Sequence, residues 1–91
     1  MVKMPKTGGQ LIAECLDTNE VKYVFCVPGE SYLGALDALF DKKKIIKVIN
    51  ARHEAGAANM AESYGKVTGK PGVALVTRGP GACHASVGVH L

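Results

Sequence analysis

The chain has 91 residues, 47% of them hydrophobic, and a formal net charge of +3. This length allows one small domain with an apolar core, and no apolar run reaches the roughly 18–20 residues of a membrane span. One basic run, Lys42–Lys44, with two Phe, three Tyr and no Trp, does not make a nucleic-acid interface. We therefore expect no nucleic-acid or membrane partner. Because the basic N-terminus lacks the apolar core of a signal sequence, we expect a cytoplasmic protein.

The predicted elements begin with a flexible tail over residues 1–6. Thr7 is expected to cap a first helix that continues to about Thr18. A first strand follows over residues 21–27, and the apolar residues at its end are typical of burial on both faces of a parallel sheet. Cys26, inside this strand, is expected to be a small core residue. The apolar stripe of the first helix, also expected to be buried, consists of Leu11, Ile12, Cys15 and Leu16.

The alternation of helix and strand continues in the middle of the chain. Residues 28–31 are predicted to form a tight turn, with Ser31 as the cap of a second helix that has one apolar face. A β-branched run predicts a second strand over residues 45–49. The Ala-rich segment that follows contains no Pro, which predicts a third helix over residues 53–68 with Gly69 as its C-cap.

A third strand is predicted over residues 72–77, and a glycine turn then leads into a fourth helix that barely begins before the sequence ends. Strands and helices that alternate with short turns predict a three-layer α/β fold, with a parallel sheet and right-handed βαβ crossovers. In the flavodoxin-like order, the first strand lies between the second and the third. The carboxyl ends of all three strands then share one edge of the sheet.

Three loops follow these strand ends, where ligands bind in open α/β sheets. They contain Pro28-Gly29-Glu30, Arg52-His53-Glu54 and Gly79-Pro80-Gly81. A glycine turn that feeds a helix N-terminus can contact an anion or a ligand through its backbone. Each turn alone is also consistent with a plain strand-to-helix connection, and neither GxGxxG nor GxxxxGK[ST] occurs in the sequence.

Glu54 lies at the junction of the second strand and the third helix. The small residues after it, Ala55, Gly56 and Ala57, allow a backbone or a flat ligand to approach closely. Desolvation disfavours the charged form of a carboxyl group in such surroundings, and a carboxyl group of this kind can share a proton with a nitrogen heterocycle. The alternative is that Glu54 only complements the helix dipole.

Further candidate residues lie in the same loops. His53 precedes Glu54, and Cys83 and His84 follow the glycine turn after the third strand, where His84 can face the same crevice. The three histidines have no acidic neighbours at ligand spacing, so we expect no metal site. Three cysteines without a close pair also argue against a disulfide framework.

Four segments together resemble the N-terminal pyrimidine-binding (Pyr) domain of thiamine-diphosphate-dependent enzymes, in particular the acetolactate synthase-like group. The resemblance covers roughly residues 8–91, with the segments in the family's order and spacing. The matching segments are Val24-Phe25-Cys26-Val27-Pro28-Gly29-Glu30, the run from Arg52 to Gly65, Thr68-Gly69-Lys70-Pro71-Gly72-Val73, and Val76-Thr77-Arg78-Gly79-Pro80-Gly81-Ala82.

The resemblance implies a role for each candidate residue. Glu54 would hydrogen-bond N1′ of the cofactor's aminopyrimidine and act as the proton relay that leads to loss of the C2 proton. His53, Cys83 and His84 would lie on the substrate side. The cofactor-binding residues would be Glu54 with Pro28, Gly29, Glu30, Gly79, Pro80 and Gly81.

The resemblance also implies a cofactor and partners. The cofactor would be thiamine diphosphate with Mg²⁺, the metal being held by a separate domain, and some relatives also use FAD. The substrate would be a 2-keto acid. A full-length protein would form a homodimer or homotetramer, with the small face of the third helix at the dimer interface.

Family Pyr domains are nearly twice as long, so we expect residues 7–91 to be the N-terminal part of such a domain and the isolated chain to be inactive. The reaction stays open between carboligation and decarboxylation, because Ala55 and Cys83-His84 stand where relatives often carry Gln and Thr-Asn. Oxalyl-CoA decarboxylase-like and glyoxylate carboligase-like members fit equally well. Two other interpretations are a non-catalytic α/β binding or assembly module derived from this fold, and a flavodoxin-like phosphate or nucleotide binder.

Overall fold

A computed structural model describes residues 5–89 of the chain. Residues 1–4 of the expected tail, and residues 90–91 at the end of the expected domain, lie outside this range. In the described part, no helix is long and apolar enough to cross a membrane. The elements are α1 (Gly8–Thr18), β1 (Tyr23–Cys26), a 3₁₀ turn (Glu30–Tyr32), α2 (Leu33–Asp41), β2 (Lys47–Asn50), α3 (Glu54–Thr68), β3 (Val73–Leu75) and α4 (Arg78–Val89).

The three strands form one parallel sheet in the order β2-β1-β3, as the flavodoxin-like pattern predicts. Val24 of β1 pairs with Val48 on one side and with Val73 on the other. Each strand is shorter than its apolar run. Ile45 and Ile46, for example, donate their N–H groups to the carbonyl of Lys42 in a turn, so β2 begins only after them.

Two neighbouring residues of β1 pack against the helix layers on opposite faces of the sheet. Val24 is fully buried in a cluster with Leu39 and Ile46 on one face of the sheet. Phe25 packs on the other face against Ala57 and Ala61 of α3. Because consecutive residues of a strand point to opposite faces, this pattern confirms the predicted burial on both sides and the three-layer fold.

Helix α1 keeps its predicted capping residue, but within its predicted apolar stripe Leu16 packs against the core while Leu11, Ile12 and Cys15 are exposed. Thr7 accepts a hydrogen bond from Gln10 N–H, and the Gln10 side chain accepts one from Thr7 N–H, which forms a capping box. Cys15, however, is exposed, so its assignment to the core was wrong. The reason is a close helix crossing: a Cβ at Gly9 would lie 2.7 Å from the backbone nitrogen of Ala35. The small side of α1 therefore faces α2, and Leu11 and Ile12 are about half exposed (53% and 48%).

Ser31 does not cap α2, contrary to the sequence prediction. The 3₁₀ turn moves the start of the helix to Leu33, and Tyr32 occupies the N-cap position without a side-chain hydrogen bond to the helix. The Ser31 hydroxyl instead lies 2.6 Å from the hydroxyl of Thr77. This contact links the loop after β1 to the end of β3.

Helix α4 is a full helix of 12 residues, not the mere beginning that the sequence suggested. Gly79, Pro80 and Gly81 form its first turn. Pro is compatible with the first turn because its fixed φ suits a helix. The N–H groups of that turn have no acceptor within the helix, so the N–H that Pro lacks is not needed there. The Gly81 N–H donates to the carbonyl of Thr77 at 2.9 Å, which joins the helix to the end of the strand.

The small residues of α3 serve contacts within the chain. Ala57 and Ala61 face Phe25, and Ala58 lies against Gly88 of α4. A Cβ at Gly88 would lie 2.5 Å from Ala58 Cβ and 2.9 Å from the backbone nitrogen of Asn59. These three alanines are therefore covered by the sheet and α4, whereas a Cβ at Gly56 would meet no atom within 4 Å, and the contact of α3 with a second subunit stays a prediction.

Replacing Gly88 by Ala should force α3 and α4 apart and lower the free energy of unfolding by about 1–3 kcal/mol. Gly34→Ala is the matched control, because a Cβ there meets no atom within 4 Å. It should raise stability by up to about 1 kcal/mol through helix propensity. Urea unfolding followed by circular dichroism measures both variants, and a Gly88→Ala variant as stable as Gly34→Ala would contradict the close helix contact.

The three free thiols should differ in reactivity. Cys26 is fully buried, its thiol donates to Asn50 Oδ1 at 3.2 Å, and burial raises its pKa. Because the thiolate is the reactive form, iodoacetamide should label the exposed Cys15 and Cys83 quickly and Cys26 only after urea unfolding. Peptide mass spectrometry over time measures this order, and rapid labelling of Cys26 in the native protein would contradict the described core.

Candidate functional site

Local backbone structure fixes the position of Glu54. After β2, the Ala51 N–H donates to the carbonyl of Cys26 at 2.7 Å and keeps the chain at the edge of the sheet. His53 then takes an extended conformation and caps α3, its Nδ1 accepting a hydrogen bond from Ala55 N–H at 3.0 Å. Glu54 is thereby the first residue of α3, one residue later than the predicted start but in the first turn as expected, and only 13% of its side chain is exposed.

The Glu54 carboxylate lies near the N-terminal ends of two helices. It belongs to the first turn of α3, and a Cβ at the buried Gly81, in the first turn of α4, would lie 3.7 Å from Glu54 Oε2. The positive end of a helix dipole favours a negative charge. Both helix ends therefore oppose the desolvation that burial imposes on this carboxylate.

Two histidines lie beside Glu54. His84 Nδ1 is 3.4 Å from Glu54 Oε1, and the rings of His84 and His53 stack with centroids 5.1 Å apart and planes inclined by 29°. Both rings are exposed, which leaves them open to a ligand. Cys83 is an exposed free thiol on α4, next to His84 in the chain.

The loops after β1 and β3 also meet. Glu30 forms an exposed ion pair with Arg78, and Gly29 lies directly against the side chain of Thr77. Gly79 and Pro80 follow Arg78 and are exposed at the start of α4. The segment after β3 therefore contacts both the loop after β1 and the loop after β2. The three loops that the sequence assigned to one edge of the sheet thus lie together.

Pro28 occupies a different environment from the other candidates. It lines an apolar groove of about 510 Å³ between α2 and β2, together with Leu36, Phe40 and Val48. Its neighbour Gly29 lies against Thr77, which follows β3 in the chain. The turn after β1 thus faces two directions, which its sequence alone did not indicate.

Tyr32 is a site residue that the sequence analysis missed. Its hydroxyl donates to the carbonyl oxygen of Val27 and lies 3.2 Å from that of Leu75, so it ties the ends of β1 and β3 together. Burial, and then the charges of Cys26 and Glu54, raise the pKa of Tyr32. The available signal was an aromatic hydroxyl in the turn directly after the first strand.

Chemically, this arrangement can bind a flat, nitrogen-containing ring. A largely buried carboxylate can accept a hydrogen bond from a protonated ring nitrogen, or share its proton. A Cβ at Gly56, in the first turn of α3, would meet no atom within 4 Å, so space exists beside that turn. The donor atoms of His53, Glu54 and His84 lie within 4.8 Å of one another, close enough to surround a metal ion.

The chain is similar to acetolactate synthases from several organisms. It is 46% identical to acetolactate synthase of Bacillus subtilis over 82 residues, 90% of this chain and 14% of that protein. It is 46% identical over 76 residues to the mitochondrial acetolactate synthase catalytic subunit of Saccharomyces cerevisiae, 84% of this chain and 11% of that protein. For the acetolactate synthase large subunit of Lactococcus lactis the identity is 40% over 88 residues, 97% and 15% of the two chains.

The chain therefore spans roughly a seventh or less of the length of these relatives. A family model described as the N-terminal TPP binding domain of thiamine pyrophosphate enzymes matches residues 6–91. That match covers almost the entire chain, including α3, the glycine turn of α4 and all three strands. The chain belongs to the thiamine pyrophosphate enzyme family, and its residues 6–91 match the N-terminal TPP binding domain of that family.

Proposed function

We propose that this chain forms the aminopyrimidine site of a thiamine-diphosphate-dependent enzyme that acts on 2-keto acids, with Glu54 as the proton relay. The observation that supports this role is the position of Glu54, a largely buried carboxylate between two helix N-termini at the carboxyl edge of the sheet. The names of the relatives favour an acetolactate synthase-like carboligation over decarboxylation.

The residues present fit the aminopyrimidine. Glu54 offers two acceptor oxygens: Oε1 lies 3.4 Å from His84 Nδ1, and Oε2 lies near Gly81 in the first turn of α4. When bound, thiamine diphosphate supplies the carbon nucleophile and the electron sink for chemistry at a carbonyl group.

Glu54 would hold or release one proton at its carboxylate as that chemistry proceeds. A general acid or base of this kind must lie within about 2.6–3.2 Å of the atom it serves, and the rigid start of α3 keeps it in place. Gly29, Glu30 and Gly79–Gly81 would form the walls of the cleft. Pro28 would support the loop from its apolar side.

The remaining parts of the proposal concern a longer protein that contains this chain. Mg²⁺ and the diphosphate would be held by a domain beyond these residues, and FAD would be an additional cofactor in some members. A homodimer or homotetramer would complete the site, with the uncovered part of α3 around Gly56 at the subunit interface. We propose the cytoplasm as its location, which cell fractionation would test.

Glu54→Gln in the enzyme that contains this chain should slow hydrogen–deuterium exchange at C2 of thiamine diphosphate by about 10²–10⁴-fold, the usual worth of a positioned acid or base. Gln keeps the shape of the side chain but cannot take or release the proton. Proton NMR of the bound cofactor after quenching measures the exchange, and turnover of a 2-keto acid should fall in parallel.

Glu14→Gln provides the matched control. Glu14 of α1 forms a surface ion pair with Lys6, which precedes the helix. Such pairs contribute about 0–1 kcal/mol to stability. Its exchange rate should equal that of the parent enzyme. An unchanged rate in Glu54→Gln, with cofactor still bound, would contradict the relay and favour a non-catalytic binding or assembly module.

A further inference from the structure

We propose that His53, Glu54 and His84 bind a divalent transition-metal ion of the zinc type. The ion and the aminopyrimidine would compete for the Glu54 carboxylate. The metal site rests on the geometry of the three side chains. The competition rests in addition on the proposed function of Glu54.

The distances already approach those of a metal complex. With zinc–ligand distances of about 2.0–2.1 Å, the ligands of a tetrahedral site lie roughly 3.3–3.5 Å apart. Glu54 Oε1 and His84 Nδ1 are 3.4 Å apart. All three donor atoms lie within 4.8 Å of one another, and rotation of the exposed His53 ring can close the remaining gap.

The chemistry of the three donors selects the type of ion. Two imidazoles and one carboxylate suit zinc, cobalt or nickel, whereas magnesium and calcium prefer sites made of oxygen ligands. Three protein ligands leave a fourth position for water, as in open zinc sites. The sequence prediction of no metal site assumed that the histidines had no acidic neighbour, and the fold supplies one in Glu54.

Loading the site changes one existing contact. His53 Nδ1 accepts the hydrogen bond that caps α3, and a metallated imidazole carries its remaining proton on the other nitrogen, so it cannot also accept that bond. Loss of an N-cap typically lowers the folding equilibrium constant by about a factor of five, which lowers the affinity for the ion but leaves the site intact. Both histidines are exposed, so an ion reaches the site without opening the core.

Titration of the protein with Co²⁺ tests the site, because a His₂Glu complex gives visible d–d absorption. The expected result is one ion per chain, with affinity reduced roughly 100-fold or more in His84→Asn, since loss of a ligand should exceed the 10–100-fold cost of losing a supporting hydrogen bond. Glu14→Gln is the carboxylate control and should bind as the parent does. Circular dichroism of each variant verifies its fold, and His84→Gln provides a second variant of the same ligand.

Three results would overturn the site. One is equal Co²⁺ affinity in the parent and in both folded His84 variants. Another is a strong sulfur-to-cobalt charge-transfer band that disappears in Cys83→Ser, because a thiolate would then be the ligand. The third is the absence of any visible complex in the parent protein.

Competition is tested with thiamine, which carries the aminopyrimidine but no phosphate groups that chelate metal. Thiamine should displace Co²⁺ from the protein, while its thiazole portion alone should not. If thiamine has no effect although His84→Asn abolishes metal binding, the metal site stands and the competition is overturned. If thiamine binds only the metal-free protein, both parts are supported.

Discussion

The site depends on one constraint, the burial of β1 on both faces at the centre of a parallel sheet. Val24 packs against the helix layer on one face of the sheet, and Phe25 packs against the layer on the other face. β1 also pairs with β2 on one side and with β3 on the other, so it is the central strand. Parallel strands carry their carboxyl ends to the same edge. Glu54 is distant in sequence from Gly81 and His84, and this order of strands brings the two segments together.

Close backbone packing sets the dimensions of the site. The contact of Ala58 with Gly88 holds the C-terminal part of α4 against α3, and at the other end of α4 Gly81 lies beside Glu54. The Tyr32 hydroxyl, which lies against the strand-end carbonyls of Val27 and Leu75, fixes the turn after β1 relative to β3. Glu54 therefore lies where the first turns of α3 and α4 meet.

Patterns that depend on local physics could be predicted from the sequence. The capping box at Thr7, the left-handed C-cap at Gly69 and the start of α3 next to Glu54 follow from backbone chemistry within a few residues. The strand order followed from the flavodoxin-like topology that alternating strands and helices favour. The exposure of Cys15 and the hydroxyl contact of Ser31 could not be predicted, because each depends on a partner 20 or more residues away whose distance no periodicity encodes.

A crystal structure of the enzyme that contains this chain, with thiamine diphosphate bound, tests the role of Glu54 most directly. We expect one carboxylate oxygen of Glu54 at hydrogen-bond distance, about 2.6–3.2 Å, from N1′ of the aminopyrimidine, with His84 moved off that oxygen or bonded to the other. An aminopyrimidine held elsewhere, with Glu54 still paired to His84, would contradict the proposed relay.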